Sequence, residues 1–386
     1  MIYFDQAASS FPKPPEVGQA VSEAILRYGA NPGRSGHKLA RQANSVIETT
    51  RRKLHKMFHS HSPDRVVFSN NATSALNQAI EGLTWKRGDH VLATVFEHNS
   101  VRRPLERLKQ EKGITVDYLQ ADGQASPGKW ADIVKRHLTD RTKLVIVTHG
   151  SNVTGEIIPV KEIGDLVADH PALYCVDASQ TAGVLDINMK GMGIDLLAFP
   201  GHKGLLGPQG TGVLMVANNI LLRPVHVGGT GSASELPAQP DIWPAGWESG
   251  TLNTPGIAGL LKGLETIEKY GLDYIHSHEK ELASYCIKEL EAIEGVKIVG
   301  PGAEEERLGV VAFYIKGVDS NEAAMILDEH YNIAVRAGLH CAPLTHNVYK
   351  TADSGLIRAS FGIYNTFGEI DTFTGAIKEI KEGLLE

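Results

Sequence analysis

Asp177, His98, Asn152 and the pair His202-Lys203 each follow a short strand-like run within four residues: 173–176, 90–95, 143–148 and 195–199 respectively. In an open α/β sheet, ligands bind outside the carboxyl ends of the strands, so polar residues there are the first candidates for chemistry. Lys203 sits in Phe199-Pro-Gly-His-Lys-Gly-Leu-Leu-Gly-Pro-Gln-Gly210, where glycines on both sides remove side-chain bulk and let the backbone approach a flat ligand. Desolvation lowers a lysine pKa, and the neutral amine forms Schiff bases. An imine-forming lysine and a carboxylate opposite a pyridinium nitrogen are what pyridoxal phosphate (PLP) requires, and Lys203 with Asp177 meets that requirement. Taken singly, Asp177 reads as a turn or helix cap and Lys203 as a surface charge; together they point to the cofactor. The complete Gly-x-Gly-x-x-Gly and Gly-x-x-x-x-Gly-Lys-Ser/Thr fingerprints, which mark nucleotide sites, are absent.

A cofactor phosphate needs donors. Ser69-Asn-Asn-Ala-Thr-Ser74 joins an expected strand to an expected helix, offering free backbone N–H groups and hydroxyls, although the same segment also reads as an ordinary N-cap. His55 and His59 have the i, i+4 spacing of a metal pair, but no Glu follows the first, and the stretch reads as a helix C-terminus where imidazoles suit the dipole. No metal is expected, and His276 and His278 receive no functional reading.

The elements that must position these residues follow from periodicity. Residues 1–15 carry several prolines and read as an extended arm. Helical spacing is expected over Glu16 to Tyr28 and Leu39 to Phe58, with the Asn31-to-Gly36 loop between them. Strand-like runs at 65–69, 90–95, 143–148 and 173–176 then alternate with helical stretches at 73–85, 101–113 and 160–168, with further strands at 195–199 and 212–216. This rhythm predicts an α/β fold with a mainly parallel sheet covered by helices on both faces. Near Thr251 to Pro255 the pattern changes to two long helices, at 256–269 and 274–293, followed by strands at 296–299 and 309–315 and a last helix. The division is therefore a large unit over 16–254 and a smaller α+β unit over 255–386.

Composition limits the partners. The 386 residues hold 38 basic and 45 acidic side chains, a net charge of −7 that disfavours nucleic acid or anionic membrane as a partner. No eighteen-residue apolar window occurs, and the N-terminus lacks a basic stretch followed by an apolar core, so no membrane span or export signal is expected. The three cysteines, Cys175, Cys286 and Cys341, form no Cys-x-x-Cys pair, which fits a reducing cytoplasm.

Segments in a fixed order carry a resemblance that runs nearly end to end. They are Tyr3-Phe-Asp-Gln-Ala-Ala8, Asn70-Asn-Ala-Thr73, Glu97-His98-Asn99, Asn152-Val-Thr-Gly155, Asp177-Ala-Ser-Gln180, Gly201-His-Lys-Gly204, Glu248-Ser-Gly-Thr251, Arg336-Ala-Gly-Leu-His-Cys341 and Ile357-Arg-Ala-Ser360. The chain resembles the cysteine desulfurases and selenocysteine lyases, the class V aminotransferase branch of fold-type I PLP-dependent enzymes. That resemblance implies a seven-stranded, mainly parallel sheet in the large domain and a small C-terminal domain carrying the Cys341 loop. It implies that Lys203 holds the cofactor as a Schiff base, Asp177 pairs with the pyridinium, His98 stacks on the ring and also exchanges a proton with the substrate thiol, and Gln180 and Asn152 approach the phenolic oxygen. Ala72, Thr73 and His202 would bind phosphate. Thr251 would reach the phosphate of the other subunit, implying a homodimer with shared active sites. One departure is Pro200: many relatives place a serine phosphate ligand three residues before the lysine, and proline offers neither hydroxyl nor N–H.

An amino-acid substrate leaves its carboxylate to be held, and arginine offers a planar two-donor fork; Arg358 is the first candidate and Arg336 the second. Cys175 and Cys286 lie in apolar patterns and read as small buried hydrophobes. Cys341 lies in a Gly/Pro-bounded segment with Arg336 and His340 nearby, a setting that favours an accessible thiolate. The implied reaction converts L-cysteine to L-alanine, with the sulfur passing to Cys341 as a persulfide and then to an acceptor protein. The alternatives are a selenocysteine lyase, another class V aminotransferase or β-lyase, which would have no use for Cys341, or a non-enzymatic PLP-binding sulfur-carrier scaffold.

Overall fold

A computed structural model describes residues 1–33, 36–120, 129–231 and 233–385. Strand β1 (Ile2–Tyr3) opens the arm, and helices α1 (Pro15–Tyr28) and α2 (Lys38–Met57) follow. Next come β2 (Val66–Ser69), α3 (Ala72–Glu81), β3 (His90–Thr94), α4 (Asn99–Lys112), β4 (Thr115–Leu119), α5 (Lys129–His137) and β5 (Thr142–Thr148). The large layer continues through α6 (Val160–Val167), β6 (Leu173–Asp177), β7 (Leu196–Pro200) and β8 (Gly212–Val216). After a long irregular connection come α7 (Thr254–Tyr270), α8 (Leu272–Glu291), β9 (Val296–Val299), β10 (Val310–Ile315) and α9 (Ser320–Tyr331). The chain ends with β11 (Ile333–Ala334), β12 (Arg336–Gly338), α10 (Pro343–Tyr349), β13 (Leu356–Ser360) and α11 (Phe367–Leu385).

The expected seven-stranded sheet is present, in the order β2-β8-β7-β6-β5-β3-β4. Only the two pairs made by β8 are antiparallel. Strands β3 and β7 are buried along their whole length because helices cover both faces, which is why they read as continuous apolar runs. Edge strand β4 alternates between exposed and half-buried positions over Thr115 to Tyr118 and ends on the buried Leu119. Neither β4 nor α5 was expected from the sequence, since an edge strand with one wet face lacks the apolar run that marks its neighbours.

The smaller unit is a four-stranded antiparallel sheet, β12-β13-β10-β9, over a core that includes Leu282, Cys286, Phe313, Ile357 and Phe373. Helix α7, which the division at 255 gives to this unit, packs against α1 and α2 and sends Ile257, Leu260, Leu264 and Ile267 into the large core. Small residues allow that approach: a Cβ at Gly263 would lie 2.2 Å from the Leu205 carbonyl oxygen. The arm starts on the small unit, where β1 pairs in parallel with β11 and Phe4 packs edge-on against Phe361 and Phe373. It then crosses to the large one, where Ser10 N donates to the His202 carbonyl at 3.0 Å. No described helix is long and apolar enough to cross a membrane.

Candidate active site

Strands β3, β5, β6 and β7 run parallel and finish on one edge of the sheet, at Thr94, Thr148, Asp177 and Pro200. The loops after them, the start of α3, the N-terminal arm and the small unit enclose a cavity of about 220 Å3. The large unit contributes Ala72, Thr73, His98 and Asn152, together with Asp177, Gln180, His202 and Lys203. The small unit contributes Arg336, His340 and Arg358. Ten residues singled out from sequence thus share one enclosure, although they are drawn from positions 72 to 358.

Burial, opposed by the Asp177 carboxylate, lowers the Lys203 amine from its ordinary value to about 8. Asp177 is almost wholly buried, and its Oδ1 accepts from the Ser179 backbone N–H at 2.9 Å and from the Ser179 hydroxyl. His98 caps α4: its Nδ1 accepts from Ser100 N at 3.0 Å and lies 2.8 Å from Ser100 Oγ. Since Nδ1 is an acceptor, Nε2 bears the ring proton, and burial keeps the imidazole neutral by lowering its pKa. Ser100 Oγ is also 2.7 Å from Thr73 Oγ1, so hydroxyls link the first turn of α3 to His98.

Glu97 braces this corner from behind. Its Oε1 accepts from Thr94 Oγ1 at 2.6 Å and from Thr148 N at 2.9 Å, tying the end of β3 to the end of β5. Complete burial raises its carboxyl to about 8, so it is largely protonated at neutral pH and adds little charge to the site.

Asn152 joins the two units. Its Nδ2 donates to the His340 carbonyl at 2.7 Å, and its own carbonyl accepts from Arg358 Nη1 at 2.8 Å. Arg358 is 1% exposed, its Nη2 donates to Asp5 Oδ1 at 2.6 Å, and its Nε has no partner. His202 is held neutral, at about 4, chiefly by burial, and its Nδ1 is buried without a partner.

Cys341 and Thr251 stand apart. Cys341 is half-buried beside the cavity wall, with Arg336 Nη2 3.8 Å from its sulfur and its carbonyl accepting from Asn99 N at 2.8 Å. Both His340 (φ 50°) and Cys341 (φ 59°) are left-handed, a conformation that side chains with a Cβ adopt only at a cost. Cys175 and Cys286 are fully buried, and burial raises both thiols. Thr251 lines a different cavity, of about 240 Å3, with Ser69, Ser74 and Asn253. Among the described residues no group of three or more His, Cys, Asp or Glu side chains could hold a metal ion.

The residues fit a PLP-sized ligand: a buried amine, an opposed buried carboxylate, an unpartnered His202 nitrogen, and the first turn of α3 with N–H groups that have no intrahelical acceptor. Pro200 is the last residue of β7, opposite Gly212 of β8, and β6 has already ended its pairing with β7 at Ala198. Sequence reasoning gave no role to Asp5, Ser100 or Ser179. A signal for Ser179 existed, as an Asp-x-Ser spacing that lets a hydroxyl turn back onto the carboxylate. Asp5 offered none, being 353 residues from its partner.

The family model for aminotransferase class-V matches residues 2–373. A probable cysteine desulfurase of Methanothermobacter thermautotrophicus is 35% identical, over 98% of this chain and 94% of its own length. The apo structure of a cysteine desulfurase from Thermococcus onnurineus NA1 superposes with a TM-score of 0.90 at 34% identity, covering 99% of this chain and 95% of that one. The crystal structure of an Escherichia coli cysteine desulfurase in an S-sulfonic acid form gives a TM-score of 0.87 at 26% identity, covering 99% and 95%.

Proposed function

This chain belongs to the aminotransferase class-V family, and from that premise we propose that it is a PLP-dependent cysteine desulfurase acting on L-cysteine. The observation that carries the reading is that Lys203, Asp177 and Arg358 line one cavity together with His340, the residue before Cys341. PLP would attach at Lys203 Nζ, with Asp177 at the ring nitrogen, His98 on the ring face, Gln180 and Asn152 near the phenolic oxygen, and Ala72, Thr73 and His202 around the phosphate. When bound it supplies an electron sink for charge developing at the substrate Cα.

The protein's own residues do the rest. Lys203, lowered to about 8, keeps a neutral fraction near neutral pH and so accepts the Cα proton and returns it. Asp177, fixed by Ser179, holds negative charge at one point of the cavity floor. Arg358 binds the substrate carboxylate, with Arg336 adding positive charge on the neighbouring strand. His98 bears its proton on Nε2 and exchanges it with the substrate thiol. Cys341 Sγ takes the substrate sulfur as a persulfide and Cβ gains a proton, so L-alanine leaves; the strained backbone at residues 340 and 341 favours a loop that moves between substrate and acceptor. An acceptor protein then takes the sulfur. We place the enzyme in the reducing cytoplasm, as a homodimer in which Thr251 serves the other subunit's phosphate.

The test is to follow sulfide and L-alanine release by the PLP-loaded protein and by Cys341→Ser. The expected result is an absorbance band that Lys203→Ala abolishes, L-alanine formation from L-cysteine, and loss of sulfur release in Cys341→Ser. Sulfide release unchanged in Cys341→Ser eliminates the persulfide role. Selenide release retained by that variant while sulfide is lost identifies an enzyme able to use selenocysteine without the loop thiol.

A further inference from the structure

Arg358 is anchored in an unusual way for a group that has to receive a ligand. On β13 it lies directly opposite Arg336 of β12, and like charges in opposed cross-strand positions repel. It is 1% exposed, so each unsatisfied donor is costly. Nη1 is held by the Asn152 carbonyl at 2.8 Å and Nη2 by Asp5 Oδ1 at 2.6 Å, which leaves Nε as a buried donor without a partner. A carboxylate arriving on the Nε edge would satisfy that donor.

Asp5 is itself fixed from several directions. It forms a β-bridge with Ser360, two residues beyond Arg358. Ser360 N donates to the Phe4 carbonyl at 2.7 Å, and Ala7 N donates to Ser360 Oγ at 2.9 Å. Farther along the same arm, Ser10 N and Lys13 Nζ donate to the His202 carbonyl at 3.0 and 2.7 Å, next to Lys203. One short segment thus spans the distance between Arg358 on the small unit and the lysine loop on the large one.

Resting on the reading of Arg358 as the carboxylate-binding arginine, we propose that Asp5 is a positioning residue for substrate recognition: by engaging Nη2, it turns the unpartnered Nε edge of Arg358 toward the substrate carboxylate. Asp5 supplies the counter-charge that lets two opposed arginines coexist, and the arm sets where the carboxylate lies relative to Lys203.

The experiment uses the PLP-loaded protein and titrates L-alanine, which carries the carboxylate, and ethylamine, which lacks it, by the absorbance change on binding. Asp5→Asn is expected to weaken L-alanine binding about tenfold or more, the scale of one hydrogen bond to a charged group, and to leave ethylamine unchanged. Asp5→Glu, which keeps the charge, is expected to recover part of the loss, and KM for L-cysteine is expected to rise in Asp5→Asn with little change in kcat. L-alanine binding that is unchanged or tighter in Asp5→Asn, or equal weakening of both ligands, overturns the proposal. Arg358→Gln separates the two levels. If it weakens L-alanine while Asp5→Asn does not, only the role of Asp5 fails; if L-alanine binding survives it, the carboxylate reading fails and the proposal with it.

Discussion

Replacing Lys203 by methionine gives a measurement of the cavity's electrostatics that does not depend on turnover. Burial lowers the Lys203 amine from 10.5 to about 8, a gap worth roughly 3 kcal/mol when the amine is charged in both the folded and unfolded states. The unfolded chain, with the ordinary value, holds the proton more tightly than the folded one. Charged Lys203 therefore destabilises the cofactor-free protein below pH 8 or so, and the penalty fades as pH rises from about 8 to about 10.5. Integrating over that window, about 2 kcal/mol of the penalty disappears between about pH 7 and about pH 9.5. The assay is denaturant unfolding of cofactor-free wild type and Lys203→Met at both pH values. Groups common to both proteins that titrate in this range, such as Lys13 and Glu97, cancel in the difference. The stability of wild type relative to the variant is expected to improve by about 2 kcal/mol at the higher pH. A difference that does not change with pH would show that the amine has an ordinary affinity for its proton, and the account of Lys203 as a ready proton acceptor would fail with it.

Two further perturbations test the scaffold around the site. Glu248 forks onto Arg51 at 2.9 and 3.0 Å and accepts from Phe68 N at 2.7 Å, with both charged side chains nearly fully buried. Glu248→Gln removes the buried counter-charge and leaves that guanidinium only the more exposed Glu48, 3.2 Å from its Nε, and is expected to cost about 3 kcal/mol in urea unfolding. Ser100→Ala removes the hydroxyl between Thr73 and His98 and is expected to weaken PLP affinity about tenfold or more, read from cofactor release by absorbance, because two hydrogen bonds of about 1 kcal/mol each are lost and His98 is held only by the Ser100 backbone N–H.

The legibility of the fold varied with how completely each element is buried. β3, β5, β6 and β7 are covered on both faces, so their apolar runs located both the strands and, by the residues that follow them, the ligand edge of the sheet. β4 is an edge strand and β12 is three residues long, so neither offers enough periodicity to be read. Helix α7 shows the opposite limit: its spacing predicts the helix that the structure has, but the pattern does not say which core its apolar face enters.

The same contrast runs through the site. His98, Asp177 and Lys203 follow their strands closely, and local spacing with residue type is enough to nominate Asp177 and Lys203 as a pair with cofactor chemistry, while the role of His98 comes from the resemblance. The residues that fix those groups were decided by tertiary structure. Ser100 acts through a capping geometry that exists only once α4 starts at Asn99, and Glu97 becomes a neutral brace only when β3 and β5 bury it between them. The counter-charge of Arg358 comes from the other end of the chain, carried by an arm that pairs with β11. By itself the sequence determined the strand rhythm and nominated groups that the fold brings to one cavity, because both depend on residue types within a few positions of one another. The pairing of Asp5 with Arg358, the exclusion of Cys341 from the cavity lining and the lowered affinity of Lys203 for its proton required the folded chain, because burial and long-range contact set the energy of a charge and neither is encoded in local spacing.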